Sequence, residues 1–344
     1  MKPEMAIWAI TPNGIRLGQE ISARLDQPDF FIPEKEMGNL SLPDTLKIRT
    51  FSSLKGALTN AFNTYHSHVF IFSTGIAVRL IAPLLVSKLK DPAVVVMDEH
   101  GQHVISLISG HLGGANALAM KISQISHAVP VITTATDVNA LPSLDMVAKE
   151  SGLFIETPGA IKHANMKLLK GQPLSIIDPL DLVCPKLPDT LISKAKSASP
   201  DVVCTWEDIK VSRETLVLRP KTLIIGMGCN RNTPMADMMA FLKHTFESEC
   251  LSLHSIRAMA TTTVKADEVG MLELAKALNI PIHFYEKDQL NSVDTIETPS
   301  KMAEKYLGVK SVCEAAAILG ANRGKLIMPK KKTRDVTLAV ALVK

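Results

Sequence analysis

Short apolar runs alternate with segments of helical spacing from one end of the chain to the other, the pattern of α/β units rather than of a sandwich or bundle. In the first part, strands are predicted over 6–10, 69–72, 94–97, 104–108 and 129–133. Helices are predicted over 15–25 and 76–85, and a third carries Leu118, Met120, Ile122 and Ile125 on helical spacing. The tight turn Glu99-His100-Gly101-Gln102 joins two of the strands as a hairpin. From 141 to 220 the pattern weakens, prolines accumulate (Pro142, Pro158, Pro173, Pro179, Pro185, Pro188, Pro200, Pro220), and 193–199 is a run of small residues. A new unit opens at Thr222 with a strand leading to Gly226-Met227-Gly228-Cys229. Thr233-Pro234 then supplies an N-cap and first-turn proline for a helix over 235–246. A strand over 258–263, a helix over 267–278, a strand over 281–285, a helix over 312–319 and a hairpin of 326–328 with 336–343 follow. A chain of 344 residues is longer than one core normally serves. The expected fold is therefore α/β, with mainly parallel sheets in domains 1–140 and 221–344 joined by a smaller middle segment, 141–220.

The most informative stretch is 109–116, Ser-Gly-His-Leu-Gly-Gly-Ala-Asn, between a strand and a helix. Three glycines leave backbone amides uncovered where a helix begins, and exposed amides with the helix dipole suit a carboxylate or phosphate oxygen. The spacing is not the dinucleotide fingerprint, and neither a P-loop nor a G-x-S-x-G elbow occurs in the chain. The loops at Gly75, 109–116 and 133–137 each follow a strand, so they are expected to gather at one carboxyl edge, where open α/β sheets bind ligands.

Each nominated side chain also has a plainer reading. His111 either takes part in chemistry at a cleft or braces its loop through a neighbouring carbonyl. Asp98 and Glu99 end a strand and suit turn chemistry as well as a general base. Arg79 is a bidentate carboxylate clamp or a snorkelling, core-paired arginine. Cys229 follows a weak glycine motif with no activating histidine, and an inert thiol packed at a turn is the better reading. Lys265 precedes the acidic helix start Asp267-Glu268, a capping pattern. His66 with His68, and His100 with His103, lack acids or thiols at ligand spacing, so they read as surface residues and no metal site is expected.

Composition narrows the class. The net charge of +4 is too small to imply nucleic acid, and the one dense basic run, Lys330-Lys331-Lys332 with Arg334, lacks interleaved aromatics and reads as a solvated hairpin. Five cysteines without paired spacing point to a reducing compartment, and no stretch reads as a signal peptide or membrane span. A cytoplasmic enzyme or binding protein is expected.

Several of these segments together resemble a known family. Ser73-Thr74-Gly75-Ile76-Ala77-Val78-Arg79, Asp91-Pro92-Ala93-Val94-Val95-Val96, 105–116 and Val131-Ile132-Thr133-Thr134-Ala135-Thr136-Asp137 resemble the N-terminal half of the cobalamin-pathway CbiG family. Gly226-Met227-Gly228-Cys229, Ala260-Thr261, Lys265, 311–317, Pro329-Lys330 and 337–341 resemble its C-terminal domain. The resemblance implies cobalt-precorrin-5A hydrolase activity: opening of the δ-lactone of a cobalt-bearing contracted tetrapyrrole, release of the C20 fragment as acetaldehyde, and formation of cobalt-precorrin-5B. Cobalt comes with the substrate, so no cofactor of the protein's own is implied. Such a substrate carries acetate and propionate groups around a flat apolar ring and calls for several amide or cation clamps. The expected contacts are Thr74, Gly75, Arg79, Ser109, Gly110, Gly113, Gly114, Asn116, Thr133, Thr134, Asp137, Gly226, Gly228, Lys265 and Lys330, with Lys88 as a further cation. His111 is the first choice for general base, with Asp98 and Glu99 second. The expected partner is the small-molecule tetrapyrrole, with no nucleic acid and no membrane; a homodimer and contact with neighbouring pathway enzymes stay open. A non-catalytic tetrapyrrole carrier or scaffold, and a metal-dependent hydrolase using the histidines, are the competing readings.

Overall fold

The computed structural model describes residues 4–38, 43, 46–87, 90–193 and 199–344; Lys88 and most of the small-residue run after 193 lie outside them. Two compact units, Met1–Met146 and Val147–Lys344, divide the chain. Among the described residues no helix is long and apolar enough to cross a membrane.

The first unit is a doubly wound α/β layer. Its elements are β1 (Met5–Ala9), α1 (Pro12–Ser22), β2 (Asp29–Pro33), β3 (Lys47–Phe51), α2 (Leu54–Ala61), β4 (Ser67–Ile71) and α3 (Thr74–Ile81). These are followed by β5 (Ala93–Met97), β6 (His103–Ile108), α4 (Ala115–Ser126), β7 (Val129–Val131), α5 (Ala135–Val138) and α6 (Leu144–Glu150), the last of which straddles the unit boundary. The strand order is β3-β2-β1-β4-β5-β6-β7. β1 to β5 are mutually parallel, β6 turns back antiparallel on β5, and β7 pairs parallel with β6. Alternate residues of each strand face opposite sides, so both faces are apolar. Ile7, Val69, Ile71 and Val95 pack under α1 and α4 through Ile15, Ile21, Leu118 and Ile122. Trp8, Phe70, Val94 and Val96 face α2 and α3 through Leu58, Ala61, Ala77 and Ile81.

Sequence patterning missed β2, β3 and α2. β3, Lys-Ile-Arg-Thr-Phe, is an edge strand with polar residues on both faces and carries no buried alternation. The predicted helix over 76–85 is shorter, because Pro83 converts its end to a 3-10 turn at Ala82–Leu84.

In the second unit the middle region holds a small sheet of its own. It contains β8 (Phe154–Ile155), α7 (Ile161–Leu169), β9 (Leu174–Ile177), β10 (Ile192–Ser193), β11 (Val202–Cys204) and β12 (Leu216–Arg219), in the order β10-β9-β11-β12-β8. Strands of two to four residues are too short to show a period, which is why they were illegible. Arg219 is fully buried and binds the Glu156 carboxylate, the carbonyls of Thr205 and Glu207, and Asp208 at 3.4 Å.

The rest of that unit contains β13 (Leu223–Cys229), α8 (Met235–Ser248), β14 (Ile256–Thr262), α9 (Val269–Leu278), β15 (Ile282–Tyr285), α10 (Lys287–Asn291), α11 (Lys301–Leu307), α12 (Cys313–Gly320), β16 (Lys325–Lys332) and β17 (Val336–Leu342). β15-β14-β13 are parallel, and β17-β16 close the sheet antiparallel. α8 and α9 cover one face through Met238, Leu242, Phe246, Met271 and Leu274. The alanine-rich α12 lies on the other face against Ile224, Ala258, Ala260 and Ala341.

His68 is not the surface residue that its sequence setting suggests. His68 is fully buried; the Trp8 indole N–H donates to its Nδ1 at 3.1 Å, and its Nε2 donates to the Phe62 carbonyl at 2.9 Å. Burial pushes the imidazole down to about 4, only partly offset by the bond to Phe62. The folded value lies below the ordinary one, so the neutral ring's contribution is complete above about pH 6.5 and is lost as pH falls toward 4. We expect the first unit to lose about 3 kcal/mol over that window. In a Trp206→Phe background, urea unfolding followed by Trp8 fluorescence should show this decline, and His68→Gln should flatten it. An equal slope in both proteins would rule the histidine out as its source.

Candidate active site

Strand direction sorts the nominated residues of the first unit onto two edges of its sheet, which corrects the expectation of one shared edge. Ser73, Thr74, Gly75, Asp98 and Glu99 follow β4 and β5 and lie at the carboxyl edge of the parallel strands. Because β6 runs against β5, with Ile108 paired to Val94, residues 109–116 emerge at the opposite edge. Residues 133–137 join them there, since β7 is parallel to β6. The five residues of β5 separate the two edges by about 16 Å.

At the edge beyond β6 and β7 the side chains form a closed network around one carboxylate oxygen. Asp137 Oδ2 lies 2.8 Å from His111 Nε2 and accepts from Thr134 Oγ1 at 2.6 Å and Asn116 Nδ2 at 3.1 Å. Asn116 also donates to Thr134 Oγ1 at 2.9 Å and accepts from Ser106 Oγ at 2.6 Å. Thr136 Oγ1 is 2.8 Å from His111 Nε2, and Asp145 Oδ2 is 3.9 Å from Nδ1. Asn116, Thr136 and Asp145 are buried, whereas His111 and Asp137 are part-exposed and reachable. Asn116 was legible as part of the loop; Thr136 and Asp145 were not, because nothing in their local sequence marks them as neighbours of a histidine.

The glycine loop itself is wound tightly. Gly114 N donates to His111 O at 2.9 Å, Ala115 N to Ser109 O at 3.1 Å and Asn116 N to Gly110 O at 3.0 Å. Of the amides at 113–115 expected to cradle an anion, two are therefore committed inside the loop, leaving Gly113 N–H. Ser109 adopts a left-handed φ of 57° and donates its hydroxyl to Asp91 O at 3.1 Å. A Cβ at Gly113 would fall 2.3 Å from Ser109 Cβ, and one at Gly110 would fall 2.7 Å from Asn116 Oδ1, so these glycines permit the winding rather than expose amides. Thr133 is exposed in the adjoining turn.

At the other edge β1 has β2 on one side and β4 on the other, so the topological switch point lies between the carboxyl ends of β1 and β4. Glu99 reaches it, accepting from Thr11 Oγ1 at 2.6 Å. Burial alone would raise the Asp98 carboxyl, but amides of His103, Gln102 and His100 donate to it and hold it below the usual range. Asp98 is thus a turn-forming group and a weak base. Arg79 is exposed on α3, is not core-paired, and forms no ion pair among the described residues.

In the second unit Gly226 and Gly228 belong to β13, not to a loop. Gly226 is buried beneath α12, where a Cβ would stand 1.8 Å from Cys313 O, so its role is packing and not substrate contact. Gly228 is half-buried, beside Thr337. α8 begins at Met235 as expected and runs on to Ser248, with Pro234 rather than Thr233 as its N-cap. Burial pushes the Cys229 thiol up, in keeping with an inert packed side chain. Lys265 pairs with the buried Glu268 at 3.3 Å, and Glu268 also accepts from Asn232 N at 2.7 Å. Lys330 donates its ammonium to the carbonyls of Thr298 and Pro299. Its backbone amide donates to fully buried Glu314, which also accepts the Thr298 hydroxyl and the amides of Glu297 and Thr298. Burial would raise Glu314, but these bonds outweigh it and hold it below the usual carboxylate range. Lys265 and Lys330 are therefore occupied with internal partners. All five cysteines are free, and among the described residues no cluster of three or more His, Cys, Asp or Glu is placed to hold a metal.

Comparison with known proteins places these residues in context. Family models described as "Cobalamin synthesis G N-terminal", "Cobalamin biosynthesis central region" and "Cobalamin synthesis G C-terminus" match residues 56–137, 142–220 and 223–341. The chain is 33% identical to a cobalt-precorrin-5A hydrolase of Priestia megaterium, covering 99% of this chain and 95% of that one. It is 31% identical to the cobalt-precorrin-5A hydrolase of Salmonella typhimurium, covering 99% of both. The crystal structure of CobE, a protein from the cobalamin (vitamin B12) biosynthetic pathway, matches with 32% identity and a TM-score of 0.35, covering 36% of this chain and 92% of that one.

The glycines separate packing from exposure in a way stability can read. Gly226→Ala should destabilise the second unit by about 3 kcal/mol or more, because the methyl meets backbone on α12. Gly75→Ala meets nothing within 4 Å and should leave stability unchanged or raise it by a few tenths of a kcal/mol. Thermal melts of both variants decide, and a tolerated Gly226→Ala would refute the packing role.

Proposed function

For a chain that belongs to the CbiG family and is a cobalt-precorrin-5A hydrolase of cobalamin biosynthesis, we propose that His111, held by Asp137, is the general base of lactone opening. The observation that carries this reading is the 2.8 Å contact between His111 Nε2 and Asp137 Oδ2 at a part-exposed edge. A carboxylate only accepts, so the ring proton sits on Nε2 and Nδ1 is left as the basic nitrogen. Thr134 and Asn116 donate to the same Asp137 oxygen and fix its direction, as the orienting carboxylate of a catalytic triad is fixed.

In this scheme Nδ1 takes a proton from water as its oxygen adds to the lactone carbonyl. The Gly113 amide is the nearby donor for the developing oxyanion. Collapse of the adduct breaks the ring C–O bond and leaves a carboxylate and an alcohol. Retro-aldol cleavage of the carbon–carbon bond to that carbinol then releases acetaldehyde, so one water is consumed overall. Ser109, Gly110, Gly114 and Thr133 shape this edge, and peripheral carboxylates of the substrate meet it in the same bound pose. The unpaired spacing of the cysteines fits a reducing compartment, and we place the reaction in the cytoplasm.

A second reading rests on Glu99. It stands at the topological switch point beside Thr74 and Gly75, the position where open α/β sheets bind ligands, with Arg79 exposed on the helix that starts there. The two readings differ by about 16 Å and give opposite mutational results. His111→Asn should lower acetaldehyde release about a hundredfold or more while the melting temperature holds, and Glu99→Gln should retain most of the activity. Near-normal turnover by His111→Asn together with loss in Glu99→Gln would move the chemistry to the switch-point edge.

A further inference from the structure

His111 is bracketed by carboxylates from two different elements. Asp137, on α5, faces Nε2; Asp145, on α6, stands 3.9 Å from Nδ1. These are the titratable groups against the ring among the described residues; Thr136 Oγ1 is the other polar neighbour. Asp145 is 6% exposed and falls within 142–220, the region matched by the central family model rather than the N-terminal one. Its distance from Nδ1 is too long for a direct hydrogen bond and short enough for a strong charge interaction in a partly desolvated site.

We infer that Asp145 is a positioning residue for His111, a carboxylate whose attraction to Nδ1 becomes strong only once that nitrogen has taken the proton. While the ring is neutral, the lone pair on Nδ1 faces a negative charge and gains nothing. After water gives up its proton, Nδ1–H⁺ faces Asp145 and Nε2–H faces Asp137, so the imidazolium is held at both nitrogens. An interaction that exists only after proton transfer lowers the barrier without tightening substrate binding. Assignment of this role gives the start of the central region a function within the first unit's site, and it rests on the reading of His111 as base.

The test is Asp145→Asn, nearly isosteric, with Asp145→Glu as a second variant that keeps the charge. The expected result for Asp145→Asn is a kcat lowered about tenfold or more with KM within about twofold. Loss of the negative charge beside Nδ1 disfavours the protonated ring, so the acid limb of the kcat/KM profile moves to lower pH. Asp145→Glu should restore the position of that limb in part. A variant that only loosened packing would lose activity in step with its melting temperature and leave the limb in place, which would overturn the inference. NMR of 15N-histidine-labelled full chain separates this from failure of the base assignment. If the His111 titration midpoint moves in Asp145→Asn but the rate profile does not, Asp145 faces the ring as inferred and the base lies elsewhere. An unmoved midpoint refutes the role of Asp145 whatever the rates do.

Discussion

The reversal of strand direction between β5 and β6 governs which loops of the first unit come together. In an all-parallel sheet the glycine loop would open at the same edge as residues 73–75 and 98–101. The hairpin sends it to the far edge instead, with Ile108 beside Val94. Asp98 enforces the turn: its carboxylate collects amides of His100, Gln102 and His103. Those bonds depress its basicity, so the residue that builds the reversal is unsuited to proton transfer.

Once the loop is at that edge, a single amide side chain organises it. Asn116 is buried at the start of α4, ties Ser106 on β6 to Thr134 and Asp137 beyond β7, and lies where any side chain on Gly110 would collide with it. The glycines serve the compact winding, Asn116 serves the cross-links, and together they leave His111 projecting with Asp137 at one nitrogen. The network is anchored by buried Asn116 and Thr136, and its hydrogen bonds fix the orientation of the His111 ring.

The second unit uses buried charge differently. Glu314 at the start of α12 accepts four donors from residues 297–298 and Lys330, and Arg219 gathers carbonyls and carboxylates at the end of β12. Both are saturated by the chain itself and so act as ties between segments distant in sequence. Lys265 and Lys330, which resemble ligand cations when read along the chain, are tied in the same way.

Read alone, the sequence determined the α/β class, the strands with clear apolar runs and, through the resemblance carried by residues 73–79 and 109–116, the family and its reaction. These were legible because they depend on local periodicity and on residue strings. The turn at 99–102 already implied that β6 runs back on β5 and carries 109–116 to the far edge, a consequence the expectation of one shared edge did not include; the parallel pairing of β7 with β6, which brings 133–137 to the same edge, had no local signal. The packing role of Gly226 and the approach of Asp145 to His111 were hidden for a related reason. Each depends on a segment tens of residues away, brought close by the hydrophobic burial of sheets and helices that have no chemical relation to the site.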